Sequence, residues 1–450
     1  MTLQRYKQPT RGLLVLLLVL MPLGLQAQET EINLDSFVAL VEQHSKELQL
    51  AEKDREEADA RKREAVGLAL PQISAQAGYT RNLSELYMYI DLSALSGDEA
   101  GTQKIVASRE NEFAAGVTLR QTLFSGTVFN AIAAAGQYRR LTDYTYDATF
   151  QYILTLARQA FSQAMLLEKV VEVAAQSEQN AFDNYTDMKE RFEAGLASEF
   201  ELLQAESRYR DAVPQTAGAR RNLELALTDL KNLAGLPIDK PLRLIGSLDR
   251  YPELPEPVGL EPVLQRRPDF NALKWEEQLR RTNVSAQRSD YFPSLAAVAG
   301  YGYSAQSNAF RLEEENNSWT VGLVLSVPIF KGGATRARVR QASVQLDKSR
   351  LELARKHDQI EKELRSVQLR LEEAHARIAS ARAAQQTASK AFSIAQSTSG
   401  AGLTTQLELK DAQVVLDQAT VAYCSAVFEY LYYWYDWQRV TGSVQAEDIE

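Results

Sequence analysis

An internal duplication constrains this chain more than any other feature of its 450 residues, because a repeated unit must form the same elements twice. Three motifs occur twice in the same order, at offsets of 222, 206 and 207 residues. The pairs are residues 70–79 with residues 292–301, residues 113–126 with residues 319–332, and Gly195-Leu196 with Gly402-Leu403. The offset shortens by 16 after the first pair, so we expect a shorter surface loop between the first two motifs in the second copy.

Four segments alternate as β-strands do. In the first, Ile73, Ala75 and Ala77 fall on one side of an extended chain while polar residues fall on the other. The segments are residues 72–80, 113–123, 294–304 and 318–327, and a few apolar residues interrupt the polar side in the second copy. Each is about as long as the ~9–11 residues with which a tilted strand crosses a bilayer. A soluble sheet with one wet face would alternate similarly, but four strands alone would leave exposed edges, which closure removes.

Two very long segments contain neither glycine nor proline. They are residues 137–194 and 334–399, with 58 and 66 residues, and continuous helices of such length would extend roughly 90–100 Å at ~1.5 Å per residue. In the second segment, apolar residues recur in steps of four and three, which is the seam pattern of a coiled coil. This seam consists of Ile360, Leu364, Val367, Leu371, Ala374 and Ile378.

Each long helix is expected to end at a glycine-leucine turn and to be followed by a returning helix, because glycine is the preferred residue at a helix C-terminus. The turns lie near residues 194–196 and 399–403. Further helices are predicted over residues 33–66, 198–233 and 268–290, with Pro268 in the first turn of the last and a kink at Pro214.

The chain is predicted to have five parts. Arg5, Lys7 and Arg11 precede a short apolar run and a small-residue cleavage site, so residues 1–27 are interpreted as a secretory signal peptide. The run is shorter than the ~20 residues of a membrane-spanning helix, which disfavours the alternative of an N-terminal anchor. Closely spaced prolines mark a connection between the two copies. The remaining parts are the first structural repeat 28–235, the connecting segment 236–258, the second structural repeat 259–442 and the C-terminal tail 443–450.

Several classes of function lack support in the sequence. The formal net charge is −9 without a basic stripe, which argues against nucleic acid as a partner. The three histidines have no metal-ligand spacing, and the single Cys424 lies in a helical pattern that predicts a buried, inert thiol. Lys331-Gly332-Gly333 lacks the spacing of a phosphate-binding loop. We therefore expect no enzyme, no cofactor and no metal site.

The chain resembles the outer membrane efflux protein family, the TolC-like channels, over nearly the whole length that follows the signal. The individual motifs are short, but their order and their duplication make the resemblance specific. They are Leu70-Pro71-Gln72 before a strand, Phe124-Ser125-Gly126 and Phe330-Lys331-Gly332 before long helices, both glycine-leucine turns, and residues 232–237 at the end of the first copy.

The resemblance implies a mainly α fold with transmembrane β-strands, in which the tandem repeats of strand, strand and long helical hairpin form a homotrimer. Three copies would close a twelve-stranded β-barrel in the lipid of a Gram-negative outer membrane, continued by an α-helical barrel in the periplasm. Residues 80–112 and 304–318 would face the exterior. The implied function is the exit duct of a tripartite efflux pump or a type I secretion system. Its implied partners are a periplasmic adaptor (membrane fusion) protein and an inner-membrane pump or ABC exporter.

The resemblance further implies a periplasmic gate with acidic rings. The matching positions are Glu408 and Asp411 after the second turn and, with less support, Glu201 after the first, although each is also interpretable as a solvated helix residue. In the family pattern an aromatic and a basic residue near the second turn form bonds that hold the gate closed. The matching positions here are Ser399 and Thr404, so the interaction that closes the gate is expected to be different or weaker. The expected adaptor contacts are Gly195, Leu196, Gly402 and Leu403, which also suit simple turn formation.

Two alternatives belong to other classes of protein. A periplasmic adaptor also uses a helical hairpin, but it would need one hairpin between sheet-rich modules, whereas this chain predicts two hairpins and duplicated strands. A structural coiled-coil protein of the cell envelope would need no pore, and it leaves the paired strands and the duplication unexplained.

Overall fold

The computed structural model describes residues 30–91, 102–400 and 405–444. The predicted signal peptide and both residues of the second glycine-leucine turn, Gly402 and Leu403, lie outside this description. In the first half the elements are β1 (Thr30–Ile32), α1 (Leu34–His44), α2 (Lys46–Gly67), β2 (Gln72–Arg81), β3 (Tyr87–Asp91), β4 (Thr102–Val106), β5 (Asn111–Phe124), α3 (Gly126–Glu193) and α4 (Glu199–Leu233). In the second half they are β6 (Leu242–Leu244), α5 (Leu260–Arg266), α6 (Pro268–Ser289), β7 (Ser294–Ser307), β8 (Asn316–Ser326), α7 (Ala334–Gly400) and α8 (Gln406–Thr441).

The four long strands form one antiparallel sheet in the order β2-β5-β7-β8. Each half of the chain contributes one hairpin, and the pairing of β5 with β7 joins the two hairpins edge to edge. The register brings Ile73, Leu119, Ala299 and Val321 into one row across the sheet. Because side chains alternate along a strand, this row and those two residues away share one face.

Two helices are several times longer than the average helix of about 11–12 residues. α3 has 68 residues and α7 has 67, so each extends about 100 Å at ~1.5 Å per residue. α3 packs along α4, and α7 packs along α8. The predicted seam of α7 is confirmed, since Ile360, Leu371 and Ile378 are buried along with the other three seam residues.

The apolar core lies where helices of both halves meet, beside the parallel pair of β1 and β6. Phe37, Phe161 and Leu230 fill one cluster, and Tyr430 lies fully buried at the centre of a neighbouring one. Cys424 is buried in that second cluster, and its burial raises the pKa of the thiol. The thiol is therefore protonated and inert at neutral pH.

A group of charges around the buried Arg267 connects three helices of the second half. Arg267 is 3% exposed and donates to both carboxylate oxygens of Asp269, at 2.9 and 2.6 Å, and to Glu363 Oε2 at 2.8 Å. Lys356 Nζ lies 2.8 Å from Asp269 Oδ2. Burial alone would raise the pKa of Asp269, but the bonds and charges of Arg267 and Lys356 outweigh it and hold that pKa well below its usual range. Arg267 also donates to the Val440 carbonyl near the end of α8 at 3.4 Å, so one side chain connects α6, α7 and α8.

The structure differs from the sequence-based expectation, or adds to it, in three places. The single helix expected over residues 33–66 is wrong, because the backbone at Ser45 is extended (φ −57°, ψ 127°) and its hydroxyl caps α2 by accepting from Leu48 N at 3.5 Å. The expected outer loop 80–112 contains a two-stranded ribbon, β3 with β4. α4 continues through Pro214, and the kink at that residue stays a prediction.

Candidate functional site

The sheet has one apolar face that nothing in the described chain covers. Trp319, Val321 and Leu323 of β8 are 80%, 87% and 69% exposed, and Ile73 of β2 is 70% exposed. These residues share a face, as the register of the four strands requires. An apolar surface this continuous marks contact with lipid or another protein, because water disfavours it.

The opposite face carries mostly small and polar side chains, although Val298 and Val324 also lie on it. Gly116, Gly300 and Gly302 lie there, together with serine and threonine residues of neighbouring strands. A Cβ at Gly300 would lie 3.0 Å from Thr320 Oγ1, and one at Gly302 would lie 3.2 Å from Ser318 Oγ. The glycines therefore leave room for hydroxyl-bearing side chains close to the backbone. The face is shallow and hydrophilic around them.

The outer end of the sheet is bordered by aromatic rings. Tyr301 and Trp319, which lie closer to the middle of the apolar face, are 4.8 Å apart between ring centroids on neighbouring strands. Phe310, from the short loop between β7 and β8, contacts Tyr79 and Phe113 at centroid distances of 5.3 and 5.4 Å. Tyrosine and tryptophan at the end of an apolar band are typical of a membrane–water interface.

An ion pair also fixes the short loop between β7 and β8. Arg109 Nε donates to both carboxylate oxygens of Glu314, at 3.1 and 3.0 Å. The Arg109 guanidinium lowers the pKa of Glu314. The loop between the strands of the second copy is thus fastened to the hairpin of the first.

The first glycine-leucine turn has the geometry that its sequence predicts. Gly195 has φ +71°, and Leu196 N donates to Arg191 O at 2.7 Å while Gly195 N donates to Phe192 O at 2.9 Å. These two bonds satisfy carbonyls at the end of α3 and turn the chain into α4. Leu196 and Phe200 are 79% and 73% exposed, so the turn presents an apolar tip.

The predicted acidic residues take a local role in the structure. Ser198 N and Oγ donate to Glu201 Oε2 at 2.8 and 2.9 Å, and Glu201 N donates back to Ser198 Oγ at 3.3 Å. The same capping box recurs at Thr405 and Glu408, with distances of 2.8, 2.9 and 3.2 Å. Bonds from the backbone and the hydroxyl of the capping residue lower the pKa of each glutamate. The signal was visible in the sequence as Ser or Thr followed three residues later by Glu.

The charged residues near the second tip differ in their surroundings. Asp411 is exposed on α8. Lys410 is half-buried, and burial together with the Arg208 charge lowers its pKa to about 8, against the opposing effect of Asp187. The charges that act on Lys410 therefore belong to α3 and α4, which places this part of α8 beside the first hairpin.

The described residues contain neither a metal-binding cluster nor a membrane-spanning helix. No group of three or more histidine, cysteine, aspartate or glutamate side chains is arranged to hold a metal ion. Within the same ranges, no helix is both long and apolar enough to cross a bilayer.

Known proteins are similar to this chain in sequence and in fold. The family described as outer membrane efflux protein matches residues 38–236 and 260–428. Alkaline protease secretion protein AprF of Pseudomonas aeruginosa is 25% identical over 343 residues, covering 74% of this chain and 70% of that protein. Outer membrane protein TolC of Vibrio cholerae is 23% identical over 391 residues, covering 84% of each.

Solved structures with this fold include the Campylobacter jejuni CmeC outer membrane channel, with a TM-score of 0.77, 19% identity and coverage of 92% of this chain and 87% of that one. The open state of the Neisseria gonorrhoeae MtrE outer membrane channel gives a TM-score of 0.74, 18% identity and coverage of 91% and 88%. Since the family match extends over most of both halves, this chain belongs to the outer membrane efflux protein family.

Proposed function

We propose that this chain is the outer-membrane exit duct of a tripartite efflux pump or a type I secretion system, which passes solutes or proteins from the periplasmic side to the cell exterior. The observation that carries the proposal is the continuity of a sheet bearing an exposed apolar face with helices about 100 Å long. AprF is named for protease secretion and the family for efflux, so both export routes are within the proposal.

In this proposal three copies assemble around one axis. β2 and β8 are the outermost strands of the described sheet, and an unpaired edge is unfavourable inside a bilayer, where backbone groups find no water. Pairing β8 of one copy with β2 of the next would close twelve strands into a barrel. The apolar face would meet lipid, the face with glycines and hydroxyls would line the lumen, and the long helices would continue the duct across the periplasm.

The mature protein, purified in detergent and added to a planar bilayer, is expected to be a trimer that conducts in discrete steps. A tightly closed tip would suppress conductance, so trimer mass is measured on the same sample by light scattering. A monomeric protein without conductance would contradict the proposal and would favour a coiled-coil envelope protein without a pore.

We propose that the hairpin tips dock on a periplasmic adaptor, which links the duct to an inner-membrane pump or ABC exporter. Gly195 and Leu196 form the first contact, and the exposed Phe200 extends its apolar surface. By the duplication, Gly402 and Leu403 form the second. The first tip lies at the far end of the 68-residue α3, which begins directly after β5, so it is what a periplasmic partner would reach first.

We propose that Glu408 and Asp411, with Glu201 in a lesser role, give the periplasmic entrance its negative potential. Three copies of each carboxylate near one axis favour cations. Bonds from Thr405 lower the pKa of Glu408, so this residue stays charged in neutral and mildly acidic solution. Its place in a capping box is compatible with this role, because the box orders the carboxylate at the tip.

The double variant Glu408→Gln/Asp411→Asn is expected to reduce the preference for cations over anions severalfold, because it removes six charges from a trimer. Glutamine at 408 keeps the capping box, so the helix terminus remains intact. Selectivity is measured from the reversal potential of the bilayer current under a salt gradient. The control is Glu361→Gln, because Glu361 is an exposed acid far from the tip. Equal selectivity of wild type, the control and the double variant would show that Glu408 and Asp411 have no role in the gate.

A further inference from the structure

The part of the chain that joins the long strands to the helices differs in charge from the protein as a whole. This junction comprises residues 61–71, 124–138, 288–293 and 327–340. It contains eight basic and two acidic residues, whereas the full chain has a formal net charge of −9. Positive charge is therefore concentrated at one level of the molecule, next to the sheet.

Half of the basic residues of the junction lie in the connection from β8 to α7 and in the first two turns of α7. They are Lys331, Arg336, Arg338 and Arg340. No acidic residue occurs within residues 327–346. In the described part of the chain, the pair of Arg338 with Asp290 at 3.1 Å is the only ion pair that any of the four forms. Lys331, Arg336 and Arg340 are exposed and keep their donors for another partner.

The first copy of the repeat shows that a helix can follow the strand without these charges. At the offset of 206 residues, the four basic positions correspond to Ser125, Asn130, Ile132 and Ala134. α3 nevertheless begins directly after β5. The basic side chains of the second copy are thus not required to form the junction, and a role in binding is open to them.

The strands set the depth of the junction in the membrane. On β5 the apolar face runs from Phe113 to Leu123, about 33 Å at ~3.3 Å per residue, or about 25 Å across a membrane for strands tilted by ~40°. The apolar band of outer-membrane barrels has a height of about 25 Å. Leu325 of β8 lies at the inner end of this band, because it pairs with Leu295, the partner of Phe124.

The chain beyond Leu325 leads from the apolar band into the layer of lipid headgroups. Ile329 and Phe330 are 95% and 87% exposed, so the apolar surface continues up to the residue before Lys331. Headgroups add about 5–8 Å on each side of the hydrocarbon core. Arg336 and Arg340 lie within about 9 Å of the start of α7 at ~1.5 Å per residue. Apolar and basic surfaces therefore follow each other in the same order as the chains and headgroups of a lipid.

Phosphate is the ligand that these side chains suit. An arginine can donate two parallel N–H bonds to a phosphate group, and a lysine binds it as a compact charge. Basic residues next to a membrane-spanning segment attract anionic lipids. We propose that Lys331, Arg336 and Arg340 bind the headgroups of anionic phospholipids in the periplasmic leaflet of the outer membrane. This inference rests on the proposed duct and its orientation.

The test measures lipid preference of the mature trimer in phosphatidylcholine vesicles that contain a trace of spin-labelled phosphatidylglycerol or spin-labelled phosphatidylcholine. Electron paramagnetic resonance gives the fraction of label held at the protein surface. Wild type is expected to hold phosphatidylglycerol severalfold more strongly than phosphatidylcholine at low salt, and less so at high salt. Lys331→Gln/Arg336→Gln/Arg340→Gln is expected to reduce this preference by half or more.

The matched control is Arg355→Gln/Lys362→Gln/Arg365→Gln. It also removes one lysine and two arginines that are exposed on α7, at least about 22 Å farther from the sheet than Arg340 at ~1.5 Å per residue. The control is expected to keep the preference of wild type. An equal loss in both variants would overturn the proposed site, because the preference would then follow total charge rather than position.

The trimer mass of each protein, measured by light scattering, separates this inference from the proposed duct. Trimers in which the junction variant keeps the wild-type lipid preference would overturn the lipid site and leave the duct in place. A shifted reversal potential of the bilayer current with unchanged lipid preference would overturn it as well, since the three side chains would then line the lumen. A monomeric wild type would overturn both.

Discussion

Replacing Arg267 with methionine is expected to destabilise the protein by about 3–5 kcal/mol, the usual cost of breaking a buried ion pair from one side. Methionine fills a similar volume but leaves Glu363 without the guanidinium and leaves Asp269 with Lys356 and the Phe270 backbone N–H as its partners. It also removes the donor to the Val440 carbonyl near the end of α8. The measurement is the loss of helical circular dichroism of the purified protein in increasing denaturant.

Arg243→Met is the matched control, because it removes an arginine from an exposed ion pair. Arg243 lies 3.2 Å from Glu31, and its side chain is 65% exposed. Exposed pairs contribute about 0–1 kcal/mol, so this variant is expected to unfold close to wild type. Equal destabilisation by the two substitutions would contradict a special role for the buried cluster.

The difference in stability between wild type and Arg267→Met is expected to depend on pH. Burial opposes ionisation of Asp269 and Glu363, but Arg267 outweighs it and lowers both pKa values below those of the unfolded chain. The stabilisation is therefore complete above the unfolded pKa values of about 4 and is lost as pH falls toward the folded ones. The gap between wild type and Arg267→Met is expected to narrow in acid, and a gap that widened there would contradict this account.

Val321→Lys is expected to prevent most of the chain from reaching the membrane as a trimer. Val321 is 87% exposed on the apolar face, in the same row as Ala299, Leu119 and Ile73. A lysine that faces lipid near the middle of the bilayer costs ~2–4 kcal/mol, and the trimer would carry three of them. The measurement is the amount of trimer in the outer-membrane fraction.

Thr320→Lys provides the control at almost the same depth. Thr320 lies on the opposite face, so its lysine would point into the proposed lumen and stay hydrated, at the loss of one weak 3.4 Å bond to Gly300 O. Trimer yield near wild type is expected. If the two lysines reduced the yield equally, the assignment of lipid and lumen faces would be wrong.

The sequence alone determined the repeating order of elements. The alternation around Ile73 predicts a strand and the seam through Leu371 predicts a long helix, because both patterns arise from the local geometry of the backbone. The turn at Gly195 was predictable for the same reason, since glycine adopts the left-handed conformation without strain. The resemblance to the family pointed to the acidic residues after the turns. The capping geometry of Glu201 follows from its three-residue spacing from Ser198.

Tertiary structure decided which distant residues meet. Arg267 and Glu363 are 96 positions apart, and nothing in the sequence near either one indicates that they pair in the core. The pairing of β5 with β7, which joins the two copies into one sheet, and the placement of Lys410 beside the first hairpin are likewise products of packing. Local patterns specify how each segment folds, but contacts between segments depend on burial of apolar surface across the whole chain, which no single window of sequence contains.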